Sequence, residues 1–139
     1  MKRFSRVLLF SGLALLTALG LRMAFLGTEI ALNPAEPTLP AGTTRVTCRL
    51  VNPTLRSVGY SEPFYLECRA GDSWQRISEK HDNVAFQLPL YTLGPLGSET
   101  LEFSLSLYSD MNRPGIYRIV LPVTIQEETQ NLYCQFTVE

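Results

Sequence analysis

One histidine, one tryptophan and three cysteines are spread through 139 residues. A single histidine, His81, cannot build a multi-histidine metal site and leaves one imidazole at most for acid–base work. It sits in Glu79-Lys80-His81-Asp82-Asn83, a polar loop. There a general base or a metal ligand beside Glu79 and Asp82 is conceivable, but a solvated side chain is the commoner case. Cys48, Cys68 and Cys134 are separated by 20 and 66 residues, so they offer no C-x-x-C ligand pair and a three-cysteine metal site is poorly supported. No glycine-rich phosphate loop, nucleophile elbow or paired catalytic carboxylate motif occurs. From these gaps we expect no enzyme, no cofactor and no catalytic, cofactor-binding or metal-ligating residue.

Positive charge is scarce where a nucleic acid would need it. Lys2, Arg3, Arg6 and Arg22 lie in the first 27 residues, and all 13 acidic residues follow them. Residues 28–139 carry 8 basic and 13 acidic side chains, a net of −5, which gives no field to attract phosphate backbones. Solubility alone accounts for that acidity. We therefore expect no nucleic-acid partner.

One long hydrophobic run is present. Residues 7–21 hold no charge over 15 positions and follow the three basic residues, the pattern of an export signal. As a helix the run reaches roughly 22 Å, short of the roughly 30 Å hydrocarbon core. If Arg22 snorkels, Met23-Ala24-Phe25-Leu26 extends it. Two fates stay open: a cleaved signal peptide, with Gly20 as the only tolerable cleavage point, or an uncleaved single membrane anchor. No cysteine follows the run before Cys48, so a lipid-modified cysteine is excluded. Basic residues ahead of the helix keep the N-terminus cytoplasmic and send the rest outside. Residues 1–27 thus form a leader or anchor, and 28–139 an extracytoplasmic body, anchored or secreted.

The body reads as short strands separated by Pro, Gly, Asn and Asp, with no amphipathic helix. Strands are expected at 29–33, 43–51, 62–69, 74–77, 84–91, 99–108, 116–123 and 132–138. The 84–91 segment is broken by Pro89 and belongs at an edge. Alternation assigns inward faces to Val46, Cys48 and Leu50; to Phe64, Leu66 and Cys68; to Leu101, Phe103, Leu105 and Leu107; and to Leu132, Cys134, Phe136 and Val138. In the run after Arg113-Pro114-Gly115, Tyr117, Ile119, Leu121 and Val123 share one face while Ile116, Arg118 and Val120 share the other. Apolar residues on both faces mark a central strand. Two antiparallel sheets packed face to face bury these rows most economically.

Taken in order, several stretches resemble a known family. They are Pro40-Ala41-Gly42-Thr43, a strand closed by Asn52, Glu62-Pro63-Phe64-Tyr65-Leu66-Glu67, and Trp74 after a Gly-Asp turn. Ala85-Phe86, residues 93–98 and Pro114-Gly115-Ile116-Tyr117-Arg118-Ile119 complete the set. The chain is similar over 29–139 to a bacterial immunoglobulin-like domain of secreted and surface proteins, often lipoproteins, of Gram-positive bacteria. The resemblance implies an all-β immunoglobulin-like antiparallel sandwich of seven or eight strands, here preceded by one hydrophobic helix. The family carries no assigned catalytic residues.

A few side chains invite a closer reading. Tyr117, just after Pro-Gly, resembles a tyrosine corner whose hydroxyl ties back to nearby backbone. Trp74 suits a half-covered sandwich position. Tyr60, Tyr65, Tyr91 and Tyr133 are candidates for an exposed aromatic patch. The three cysteines admit one bridge with one thiol left over, in any of three pairings, or three buried thiols acting as small hydrophobes. If Cys68 and Cys134 flank the central strand they stand roughly 9–10 Å apart, too far to bridge. Glu127-Glu128 reads as a solvated hairpin tip. The expected function is a non-catalytic extracytoplasmic module that binds, or is accessory to, a protein or other cell-envelope component. The membrane itself is met only through the N-terminal helix, if that is retained. A spacer with no ligand of its own, or a thiol-based redox protein, are the alternatives.

Overall fold

Ten strands form among the described residues, in chain order: β1 (Ala31–Pro34), β2 (Thr38–Leu39), β3 (Arg45–Val51), β4 (Val58–Tyr60), β5 (Tyr65–Ala70), β6 (Ser73–Arg76), β7 (Tyr91–Leu93), β8 (Ser98–Ser104), β9 (Gly115–Ile125) and β10 (Glu128–Val138). The structure, a computed structural model, describes residues 29–79, 90–108 and 111–139, among which there is no helix. The N-terminal hydrophobic segment, His81 and residues 84–89 of an expected strand lie outside the described residues.

Three strands make one sheet in the order β1-β3-β8, all antiparallel. The other seven make the second sheet, where β9 holds the centre. β10 pairs along its whole length on one side, β4 and β5 pair in turn on the other, β7 adds to β4 and β6 to β5. Facing rows close the interior. Tyr117, Ile119, Leu121, Val123 and Ile125 of β9 and Leu132, Cys134, Phe136 and Val138 of β10 are buried in one core with Val46, Cys48 and Leu50 of β3 and Phe103 of β8. Each fully buried Leu, Ile, Val or Phe contributes on the order of 1.5–3 kcal/mol relative to exposure. The two-sheet sandwich and its inward rows are therefore those that alternation dictates.

The strand count exceeds the expected seven or eight, for local reasons. The expected strand at 62–69 forms as β5, and β4, which was not expected, precedes it on the same path along β9. Tyr60 stands opposite Val123 and Tyr65 opposite Val120, so two extra residues bulge out between them. Pro63 lies in the bulge and has no N–H to give the ladder. Near the start, the chain leaves the first sheet after Pro34 and joins the second as β2, parallel to the end of β10. Pro34 and Pro37 flank this crossing, while Thr137 and Glu139 amides reach the carbonyls of Pro37 and Leu39 at 2.8 and 3.0 Å. The strand expected at 99–108 stops at Ser104 because its partner β3 begins there, at Arg45. Leu105 is still buried and Leu107 half-buried.

Asn52, just after β3, is the buried polar residue among those described, at 1% exposure. Its side-chain amide donates to the carbonyls of Arg56 (2.6 Å) and Gly94 (3.0 Å), and its oxygen accepts from the Thr54 amide and hydroxyl (3.1 and 2.7 Å). One side chain thus fixes the 52–57 loop and ties it to the turn before β8, and among the described residues no buried side-chain nitrogen or oxygen lacks a hydrogen-bond partner.

The β9–β10 hairpin closes through Gln126 and Glu127, with φ of 51° and 66°, between the paired Ile125 and Glu128. A two-residue loop with both φ positive is the I′ turn that follows sheet twist but favours Asn-Gly. Neither residue here is suited to it, and each left-handed residue costs roughly 1–2 kcal/mol. Replacing the pair as Gln126→Asn with Glu127→Gly is expected to stabilise the fold by about 1 kcal/mol once glycine's unfolded-state entropy is counted. The urea midpoint should rise, and an unchanged or lower midpoint would contradict this account of the turn.

Candidate functional site

Two aromatic clusters occupy opposite faces of the seven-stranded sheet, and the strand register decides their membership. Tyr65 on β5 and Tyr133 on β10 stand opposite Val120 from either side, so all three share the face turned away from the core. Tyr60 on β4 stands opposite Val123, a core position, so it points the other way. The four tyrosines singled out in the sequence are therefore not one patch. They separate into Tyr65 with Tyr133 outside and Tyr60 with Tyr91 at the interior margin.

On the outer face, Val120 is only 4% exposed although it points away from the sandwich interior. Its neighbours cover it. Arg118, two residues along β9, lies between aromatic rings, its guanidinium carbon 4.2 Å from the ring centre of Trp74 and 4.2 Å from that of Tyr133. Glu67, opposite it on β5, accepts from its Nε at 3.0 Å and lies 2.9 Å from Nη2. The fork-like guanidinium is suited to this combined pairing and stacking, which a lysine ammonium cannot reproduce. Arg76 on β6 stacks on Tyr65 at 3.8 Å. Tyr65 and Tyr133 remain 37% and 48% exposed. The result is a rigid surface of aromatic rings and arginines. Trp74 is half-buried within it, as its sequence setting led us to expect. The partners Arg118, Glu67 and Arg76 were not singled out from the sequence, where the only signal was a charge between Ile116 and Val120 on the outer row of a central strand.

The second cluster lies where the sheets part. Tyr60 and Tyr91 stack with ring centres 5.5 Å apart. Their hydroxyls donate to Glu99 (2.5 Å) and Glu62 (3.2 Å). These residues, with Phe64, Leu101, Phe103 and Leu107, line a cleft of about 340 Å³, near the low end of ligand-sized cavities. Burial, then the neighbouring Glu99, pushes the Tyr60 phenol up; Tyr91 moves the same way through desolvation and Glu62. Tyr108, whose hydroxyl donates to the Phe64 carbonyl at 3.1 Å, is pushed up to about 12, first by burial and then by Glu79.

The remaining candidates fall into place around these clusters. The Tyr117 hydroxyl donates to the Arg113 carbonyl at 2.6 Å, the tie of a tyrosine corner. Glu127 and Glu128 are exposed at the hairpin tip. Cys68 is half-buried on β5, whereas Cys48 and Cys134 are fully buried and face each other across the core. Cys68 and Cys134 do flank β9, pairing with Tyr117 and Ile119. Among the described residues no three Cys, His, Asp or Glu side chains converge into a cluster able to hold a metal ion.

A phenol held protonated in the fold makes stability fall at high pH. With its folded value raised above the ordinary 10.0, the contribution of Tyr108 is fully present below pH 10 and is lost as pH rises through about 12. Unfolding free energy, measured in urea from pH 9 to 12, should decline over that window. Tyr108→Phe should cost about 1 kcal/mol at neutral pH and flatten the decline. An unaltered slope in the variant would contradict the assignment.

A family model described as the bacterial Ig-like domain matches residues 27–137. No match is found among curated proteins. Among solved structures, the periplasmic chaperone SfaE aligns at 13% identity and a TM-score of 0.41, over 80% of this chain and 57% of its own. A β-glucosidase from Listeria innocua aligns at 13% identity and a TM-score of 0.36, over 79% of this chain and 16% of its own. A PapD-like domain of human CEP192 aligns at 13% identity and 0.34, over 81% and 86%. Likenesses this distant say nothing about activity, and the chain spans little more than half of the chaperone and a sixth of the glucosidase. With the family model covering nearly all of the strands described above, the chain belongs to the bacterial Ig-like domain family.

Proposed function

We propose that this chain is a non-catalytic Ig-like module held outside the cytoplasm, where it binds a protein of the bacterial cell envelope through the outer face of its seven-stranded sheet. The composition of that face carries the reading. Tyr, Trp and Arg are the residues that dominate the energetic centres of protein interfaces, and here Tyr65, Tyr133, Trp74, Arg76 and Arg118 share one surface. Their geometry is set before any partner arrives, because Arg118 is held by Glu67 and by two rings. Side chains already fixed lose little entropy on docking.

The placement outside the cytoplasm rests on the leader, with Lys2, Arg3 and Arg6 ahead of 15 uncharged residues. The sequence resemblance to surface domains of Gram-positive bacteria supports the same setting. The non-catalytic reading follows from the residue inventory: one histidine and no nucleophile motif.

A photoreactive amino acid placed at position 65 or 133 in intact cells of the producing bacterium tests both parts. Each position should yield a discrete adduct with one envelope protein, and the same probe at Leu55, a fully solvated loop site 81% exposed, should not. Protease added after removal of the cell wall should digest the adduct. No adduct at either position, or equal labelling at Leu55, would make the chain a spacer. An adduct resistant to protease would overturn its location.

A further inference from the structure

We propose that Cys48 and Cys134 form a disulfide that joins the two sheets through the core, leaving Cys68 as the free thiol. The inference goes beyond the binding reading and does not depend on it. Cys48 lies on β3 of the three-stranded sheet and Cys134 on β10 of the seven-stranded one. Both are at 0% exposure, and their Sγ atoms are 2.7 Å apart. Unbonded heavy atoms attract best at roughly 3.5–4.0 Å for carbon, and sulfur is no smaller. At this separation the pair is already inside ordinary contact. Cys68 is excluded as a partner of Cys134 by the register, since β9 stands between their strands and they pair with it two residues apart, at Tyr117 and Ile119, which separates them by more than roughly 9–10 Å.

The chemistry requires an oxidant, and a low-molecular-weight disulfide or an oxidised protein dithiol serves. A thiolate from one cysteine attacks that disulfide and releases one of its thiols. The second cysteine, as thiolate, then attacks the mixed disulfide and releases the other. One S–S bond forms in the chain and one is lost in the oxidant. The two cysteines give up two protons and two electrons, and the oxidant leaves as two thiols. In the closed sandwich neither sulfur is reachable by solvent. The hydrogen bond to Cys134 and burial both hold the Cys48 thiol protonated. The bond must therefore form before the sheets close, and afterwards the core shields it from reductants. It spans 86 residues of chain, a long loop whose closure restricts the unfolded state strongly.

Trypsin separates the three cysteines, because cleavage after Arg45, Arg49, Arg56, Arg69 and Arg118 puts them in peptides 46–49, 57–69 and 119–139. The full chain would be refolded in a glutathione redox buffer, denatured, and alkylated with N-ethylmaleimide without reduction. One adduct is expected, on peptide 57–69, together with a 46–49/119–139 pair lighter by two hydrogens than the two thiol peptides. Reduction should lower the Tm by on the order of 10 °C. Cys68→Ser, which cannot shuffle, should give the same linked pair. Three adducts in the wild-type chain, any bridge containing Cys68, or no linked pair in the Cys68→Ser variant would overturn the proposal.

Discussion

Every other feature of this molecule depends on the meeting of two apolar rows on β9 and β10 with two from the opposing sheet. β9 is the long central strand of the larger sheet, paired along one side by β10 and along the other by β4 and β5 in turn. A central strand can be buried only if its amides and carbonyls are bonded to neighbours. The dry interior and the long β9–β10 ladder are therefore one requirement seen twice. Ile119, Cys134 and Phe136 on one side and Leu50 and Cys48 on the other reach essentially complete burial, which the sheets achieve only in this register. A slip of one residue along β10 would turn its whole inward row to solvent.

The same constraint shapes the outer surface. A strand at the centre of a sheet exposes its second face unless something lies on it, and the second face of β9 carries Ile116 and Val120. The chain covers Val120 with the rings of Tyr65 and Tyr133 and locks Arg118 between Trp74 and Tyr133, anchored by Glu67. The side chains that protect the sheet are the ones we propose meet a partner. Their contacts with one another hold the face in place without a ligand.

Much of this was legible in the sequence, and the parts that were not share a cause. Period-two alternation located the inward rows of β3, β8, β9 and β10, because each follows from consecutive residues on one strand. The tyrosine corner was legible from Pro114-Gly115 beside Tyr117 for the same reason. The two-residue β2 is held by its parallel pairing with β10, a relation no local pattern encodes. β4 escaped notice because Gly59 and the short Val58–Tyr60 span give too few alternating positions to read. The tyrosines looked alike in the sequence, yet the odd separation of Tyr60 and Tyr65 already sets them on opposite faces, and the two-residue bulge at Pro63 keeps that parity. The approach of Cys48 to Cys134 depends on how two sheets are stacked, and the sequence pattern specifies faces but not the stacking.

Native-state hydrogen exchange tests the central role of β9 most directly. Its amides at Tyr117, Ile119 and Val120 lie between partners on both sides, and they should exchange only through global unfolding. Their free energy of opening should then equal the unfolding free energy from urea, while amides of β6 and β7 at the sheet margins open at lower cost. Exchange from β9 as rapid as from β6 or β7 would show that the fold is held together elsewhere.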